Sequence, residues 1–115
     1  MKLIVEVLKG GKAGQRFAFK KTTVTVGRRT DCDVALDPNV DRLVSAKHGE
    51  LRLTAAGEVW WVDNQSSNGS FIAGKRIAHC KLEENGVIEL GPVGPQLRIS
   101  HGSKPLHHGS GGTVC

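Results

Sequence analysis

The sequence predicts an all-β fold, and three observations carry that prediction. The 115 residues include fifteen glycines but only three Phe, two Trp and no Tyr, which leaves the core to Val, Ile and Leu. These residues come in short runs of period-two alternation separated by turn residues, the pattern of half-buried strands. No stretch keeps the apolar spacing of a long amphipathic helix. Short strands with frequent turn signals describe a sandwich, and the length suits one domain with a single core.

Lys2 to Leu8 sets Leu3, Val5 and Val7 on one face and Ile4, Glu6 and Leu8 on the other, a first strand. Gly10, Gly11 and Gly14 mark a turn. Arg16 to Phe19 and Thr22 to Val26 form two further runs, with Phe17, Phe19, Val24 and Val26 as core candidates and a hairpin expected around Lys20-Lys21. Val34 to Leu36 is a short strand ahead of a loop through Pro38-Asn39. His48 to Thr54 points Leu51 and Leu53 inward, and Glu58 to Val62 pairs back after Ala55-Ala56-Gly57. Phe71-Ile72, a tight hairpin at Ala73 to Arg76, Val87 to Leu90 and Gln96 to Ile99 complete the domain over residues 1–100. Residues 101–115, with His101, His107, His108 and a Gly-Ser-Gly-Gly run, lack an apolar pattern and are expected to form a flexible tail or linker to further domains.

Net charge is +5, and Lys104 is the only charged residue beyond position 100, so the excess belongs to the folded part. A basic domain favours an acidic partner. Nucleic-acid binders cluster Lys and Arg with stacking aromatics, whereas Asp31, Asp33, Asp37 and Asp41 interleave with the bases here, so no nucleic acid is expected. Cys32, Cys80 and Cys115 are odd in number and widely spaced. They signal neither a disulfide framework nor a zinc site, and no metal or cofactor is expected. Glu6 interrupts Leu3-Ile4-Val5 before it reaches signal-peptide length, and no run approaches a membrane span. The expected localisation is cytoplasmic, without membrane insertion, and the Asn64 and Asn68 sequons are then incidental.

Three polar segments fall at the ends of strands, where loops on a rigid sheet present side chains. Gly27-Arg28 offers a sharp turn and a planar fork of donors suited to phosphate oxygens. Alone, such an Arg is more often paired with a carboxylate such as Asp31 or Asp33. Val44 to His48 contains Ser45, Lys47 and His48. A Ser45–His48 nucleophile and base would need a third orienting group and an oxyanion hole, and no Gly-x-Ser-x-Gly elbow occurs, so no catalytic residue is assigned. Ser66-Ser67-Asn68-Gly69 carries the strongest hairpin dipeptide, Asn-Gly. A turn that fixes Asn68 also aims its amide, which donates and accepts at once.

Taken in order, Gly27-Arg28, Asp31 to Val34, Val44 to Leu51, Asp63 to Phe71 and Gly74 to Ile77 resemble the forkhead-associated (FHA) domain. The resemblance implies a β-sandwich of about eleven mostly antiparallel strands with ligand loops at one end, binding phosphothreonine peptides. Arg28, Ser45 and Ser67 then contact phosphate, with Lys47 as an additional phosphate ligand, and Asn68 binds the peptide backbone. Gly27, His48 and Gly69 are structural. Arg42 and Leu43 lie where the family reads the side chain three residues after phosphothreonine. Arg42 is the preferred reader, favouring an acidic residue, and Leu43 would favour an apolar one. One departure is Ala46, where the family often has Arg, Lys or Asn.

The function implied is non-catalytic recognition of a phosphothreonine-containing protein, with a Ser/Thr kinase as upstream writer, by a monomeric domain of a larger protein. The alternative is a domain with a weakened phosphate site acting as a constitutive protein-interaction or oligomerisation module, for which Ala46 is the support.

Overall fold

The computed structural model describes residues 2–101 and consists of eleven strands in two sheets, with no helix among the described residues. The strands are β1 (Leu3–Lys9), β2 (Arg16–Phe19), β3 (Thr23–Gly27), β4 (Val34–Ala35), β5 (Gly49–Leu53), β6 (Val59–Asp63), β7 (Ser70–Ile72), β8 (Lys75–Ile77), β9 (His79–Leu82), β10 (Gly86–Leu90) and β11 (Gln96–Ser100). One sheet runs β2-β1-β11-β10-β7-β8 and the other β4-β3-β5-β6-β9. Of the pairings within them, only β3 with β4 is parallel. The eleven-stranded sandwich is therefore the fold that the sequence implies.

Alternation sorts the residues. Leu3, Val5 and Val7 of β1 are buried, as are Val24 and Val26 of β3, Leu51 of β5, Ile88 and Leu90 of β10, and Leu97 and Ile99 of β11. They meet around Trp61, the largest fully buried side chain. Trp61 fits because Gly49 lies beneath it: a Cβ at Gly49 would fall 2.4 Å from the Trp61 ring. Phe17 and Phe19 pack on the core only partly buried, their rings stacked 6.3 Å apart on an edge strand.

Three expectations need correction. The β2–β3 turn at Lys20-Lys21 is not a hairpin, because β2 pairs with β1 and β3 with β4 and β5 in the opposite sheet. Asn68-Gly69 likewise closes no hairpin, since β6 and β7 belong to different sheets. His101 belongs to the fold and not to the tail: it is buried, and its backbone N–H donates to Glu84 Oε1 at 2.9 Å. The rest of the expected tail, 102–115, lies outside the described residues. Ala73 and Gly74 do form a two-residue hairpin turn, both with positive φ, between Ile72 and Lys75.

Cys80 on β9 is buried and disulfide-bonded, a pairing the cysteine spacing does not announce, and Cys32 is a buried free thiol. No described helix is long and apolar enough to cross a membrane, and the described residues hold no cluster suited to a metal ion.

Candidate functional site

Gly27 closes β3 against the loop between β4 and β5. A Cβ there would lie 2.1 Å from the carbonyl oxygen of Ala46, so only glycine lets the two segments approach this closely. The approach is held by backbone hydrogen bonds: Arg28 N–H to Ser45 O at 3.2 Å, Arg29 N–H to Ala46 O at 3.1 Å and His48 N–H to Val26 O at 2.9 Å. Arg28 is thereby fixed beside Ser45.

The half-buried Arg28 side chain donates through Nε to the Val44 carbonyl. Among the described residues it has no carboxylate partner, because Asp31 is bound by Arg29 at 3.0 Å and Asp33 by Lys21 at 2.6 Å. The ordinary salt-bridge alternative is therefore not what this arginine does. With Nε anchored, its two Nη nitrogens remain as donors.

His48 is fully buried and stitches two loops together. Its Nδ1 accepts from the Ser45 N–H at 3.1 Å, so Nε2 carries the proton and donates to the Gly69 carbonyl at 2.8 Å. Burial pushes the imidazole pKa below its ordinary 6.5, against the opposing effects of the Gly69 hydrogen bond and the Asp63 charge. Asp63 Oδ1 lies 3.8 Å from Nε2; with the ring neutral, that contact orients the imidazole and is not an ion pair. Both ring nitrogens are engaged in this way, so His48 is not placed as a base for the Ser45 hydroxyl.

The loop between β6 and β7 is organised by Asp63, whose carboxylate accepts from Ser66 N–H at 2.9 Å, Ser66 Oγ at 2.6 Å and Ser70 Oγ at 2.6 Å. Burial raises the Asp63 pKa, but these hydrogen bonds outweigh it and hold the carboxyl below its usual value. Ser66 Oγ in turn accepts from Gly69 N–H at 3.1 Å. The result presents Ser67 and Asn68 at the loop tip. Ser67 N–H donates to Ser45 Oγ at 3.2 Å, and Asn68 Nδ2 donates to Leu43 O at 3.0 Å, leaving Asn68 Oδ1 as an acceptor.

Arg28, Ser45 and Ser67 are thus joined by direct hydrogen bonds, and Asn68 is tied to the same loop as Ser45 through the Leu43 carbonyl. Lys47 is exposed and takes part through its carbonyl, which accepts from Asn64 Nδ2 at 3.4 Å. Arg42 and Leu43 are exposed beside this group, on a segment whose shape is set by Asp41. The buried Asp41 carboxylate accepts from Gly11 N–H at 3.1 and 3.2 Å, pinning the segment to the β1–β2 turn. Sequence reasoning assigned no role to Asp41, Asp63 or Ser66; their partners lie on other loops or emerge only once the loop has its shape.

The FHA domain family model matches residues 24–91. The glycogen accumulation regulator GarA of Mycolicibacterium smegmatis is 33% identical over 88 residues, covering 76% of this chain and 53% of that protein; the chain spans about half the length of this curated relative. Two solved structures share the fold. The FHA domain of the Chlamydia trachomatis CT664 protein aligns with a TM-score of 0.77 and 23% identity over 90% of this chain and 100% of that one. A structure from a structural and functional study of phosphothreonine-dependent FHA domain interactions aligns with a TM-score of 0.74 and 21% identity over 92% and 100%.

Proposed function

The chain belongs to the FHA domain family, and from that premise we propose that it is a non-catalytic module binding phosphothreonine-containing proteins. The observation that carries the reading is the Ser67 N–H to Ser45 Oγ bond, which brings two hydroxyl-bearing loops together next to the anchored Arg28. In this reading the Arg28 Nη donors and the hydroxyls of Ser45 and Ser67 take the phosphate, with Lys47 adding charge at the rim. Asn68 Oδ1 accepts from a ligand backbone N–H while its amide stays on Leu43.

The surroundings of Arg42 and Leu43 support an apolar ligand residue over an acidic one. A cleft of about 200 Å³ lies between this segment and the β10–β11 turn, lined by Lys9, Val40, Arg42, Leu43, Val93 and Pro95 among others. Val40 and Val93 are 62% and 76% exposed and Leu43 39%. Val93 also has φ of 56°, a strained conformation for a β-branched residue of the kind that gathers at ligand sites. Because the apolar wall of the cleft is built by Val40, Leu43, Val93 and Pro95, Leu43 is preferred to Arg42, which lines the same cleft, as reader of the residue three after phosphothreonine.

In this reading the partner is a phosphothreonine protein marked by a Ser/Thr kinase and the module acts as a monomer; the likeness to GarA, of which the chain covers 53%, supports a place in a longer regulatory protein. Cytoplasmic localisation follows from where ATP-dependent kinases write the mark, although the disulfide at Cys80 is unusual for a reducing compartment. The test is a peptide-library titration of this domain with phosphothreonine, phosphoserine and unphosphorylated members. Binding confined to phosphothreonine peptides supports the reading. Equal binding of unphosphorylated members would favour constitutive association, the reading that the missing side-chain donor at Ala46 supports.

A further inference from the structure

The β7–β8 hairpin carries a cation that the loops described above do not include. Its two-residue turn sets Arg76 opposite Phe71 on the outer face of the sheet. The Arg76 side chain lies back over Gly69: a Cβ at Gly69 would meet Arg76 Nε at 2.6 Å, Cζ at 2.9 Å and Cδ at 3.2 Å. Gly69 has φ of 84° and follows Asn68 directly. The guanidinium therefore rests on the tip of the loop that presents Ser67 and Asn68, in space that any side chain at position 69 would occupy.

Among the described residues Arg76 has no ion pair or hydrogen bond, although carboxylates are close in the strand order. Glu89 is opposite Phe71 on β10, and its carboxylate takes the amide of Gln96 at 3.2 Å. Asp63 is engaged by Ser66 and Ser70. Arg29, which follows Arg28 in the chain, is neutralised by Asp31. Arg76 is thus an exposed guanidinium without a counter-charge, held by its contact with Gly69 at the edge of the proposed ligand site. Arg28 is bonded to the loop carrying Ser45, and Arg76 packs at Gly69 on the loop carrying Ser67, the two loops that the Ser67 N–H to Ser45 Oγ bond joins.

We propose that Arg76 is a second anion-binding residue of this site, taking a carboxylate or second phosphate on a ligand residue flanking the phosphothreonine. This rests on the phosphothreonine reading of the site and adds to it a substrate class, the doubly anionic peptide. An extended ligand advances about 3.3 Å per residue, so the second anion is expected within a few positions of the first. A guanidinium fork suits either oxyanion.

The test uses three peptide series in calorimetric titrations: one phosphothreonine with neutral flanks, the same with Glu scanned through the three positions on each side, and the same with a second phosphothreonine in those positions. Wild type is expected to bind the best Glu-flanked peptide up to about fivefold more tightly than the neutral one, and the doubly phosphorylated peptide more tightly still if phosphate is the natural source. Arg76→Ala should remove that gain while leaving the neutral-flanked affinity and the melting temperature unchanged. A flank gain that survives Arg76→Ala, or no gain at any position in wild type, would overturn the proposal. A wild-type domain that binds none of the three series would overturn the phosphothreonine reading as well, a result distinct from normal binding of the neutral series without a flank effect.

Discussion

The backbone N–H of Ser67 donates to the hydroxyl of Ser45 at 3.2 Å, joining residues 22 positions apart on two different loops. That bond depends on His48, which holds Ser45 from one side of its ring and Gly69 from the other. The site is therefore assembled through a buried imidazole that does not itself face a ligand.

Replacing His48 with Ala should lower stability by about 1–3 kcal/mol, the cost of leaving a buried polar partner unmet. The low end is expected, since Gly69 O keeps the Gly91 N–H at 2.8 Å and the partly exposed Ser45 can admit water. Phosphopeptide affinity should fall further than stability, because Ser45 and Gly69 are no longer tied together. Denaturant melts and titrations on the same sample check both.

The same residue sets an acid limit. Its pKa is lowered by burial, so the folded state favours the neutral ring and the unfolded chain binds the proton more readily. The stabilisation from His48 is fully present above 6.5 and is lost as pH falls from there through the lower folded value. Melting temperature of the unliganded domain should decline across this window, and His48→Gln should flatten that part of the profile. An identical slope in the variant would count against the neutral, two-bonded imidazole. Asp63, also held low, adds a separate loss below its ordinary 3.8.

Gly27→Ala should destabilise by about 1–3 kcal/mol or more, as overpacking does, because the new methyl meets backbone at Ala46 and cannot be relieved by a side-chain rotation. The shift in the unfolding midpoint measures it, and weakened peptide binding should accompany it as the Arg28 and Ser45 segments separate.

Ala46→Arg should strengthen binding by up to about fivefold at low salt. Ala46 is exposed and holds Arg29 N–H and the Cys32 thiol through its carbonyl, neither of which the substitution removes. Unchanged affinity in a low-salt titration would show that Lys47 or the backbone already supplies that contact.

Much of this was legible in the sequence where period-two alternation reports a face: Leu3, Val5 and Val7, which share one face of the first strand, are buried, as are Val24, Val26 and Leu51, while the core candidates Phe17 and Phe19 are only partly buried. Alternation does not say which sheet a strand joins, so the turn at Lys20-Lys21 was misread as a hairpin although the chain crosses between sheets there. Strand β9 went unnoticed because only Cys80 and Leu82 point inward. The loops carrying Arg28, Ser45, Ser67 and Asn68 were found through the order of their motifs. The roles of Asp41 and Asp63 were not, because a carboxylate that caps backbone amides leaves no periodic trace; Asp41 reaches a turn 30 residues away. The apolar wall on which the proposed preference for Leu43 rests is not legible in the sequence, because Val93 lies across the cleft from a segment 50 residues earlier.

Leu43→Asp should reverse any preference for an aliphatic residue three positions after phosphothreonine, while Arg42→Ala should leave it in place. Peptide arrays varying that position alone check this. An acidic optimum that disappears in Arg42→Ala would instead make Arg42 the reader.

Calorimetric titration of wild type and Arg28→Ala with one phosphothreonine peptide and its unphosphorylated twin tests the phosphate assignment most directly. The guanidinium is expected to contribute roughly 1.5–3 kcal/mol through charge-assisted hydrogen bonds, so the variant should lose about 10- to 150-fold in affinity while its melting temperature changes little. A folded Arg28→Ala domain that binds the phosphopeptide like wild type, or a wild-type domain that does not distinguish the two peptides, would contradict the account.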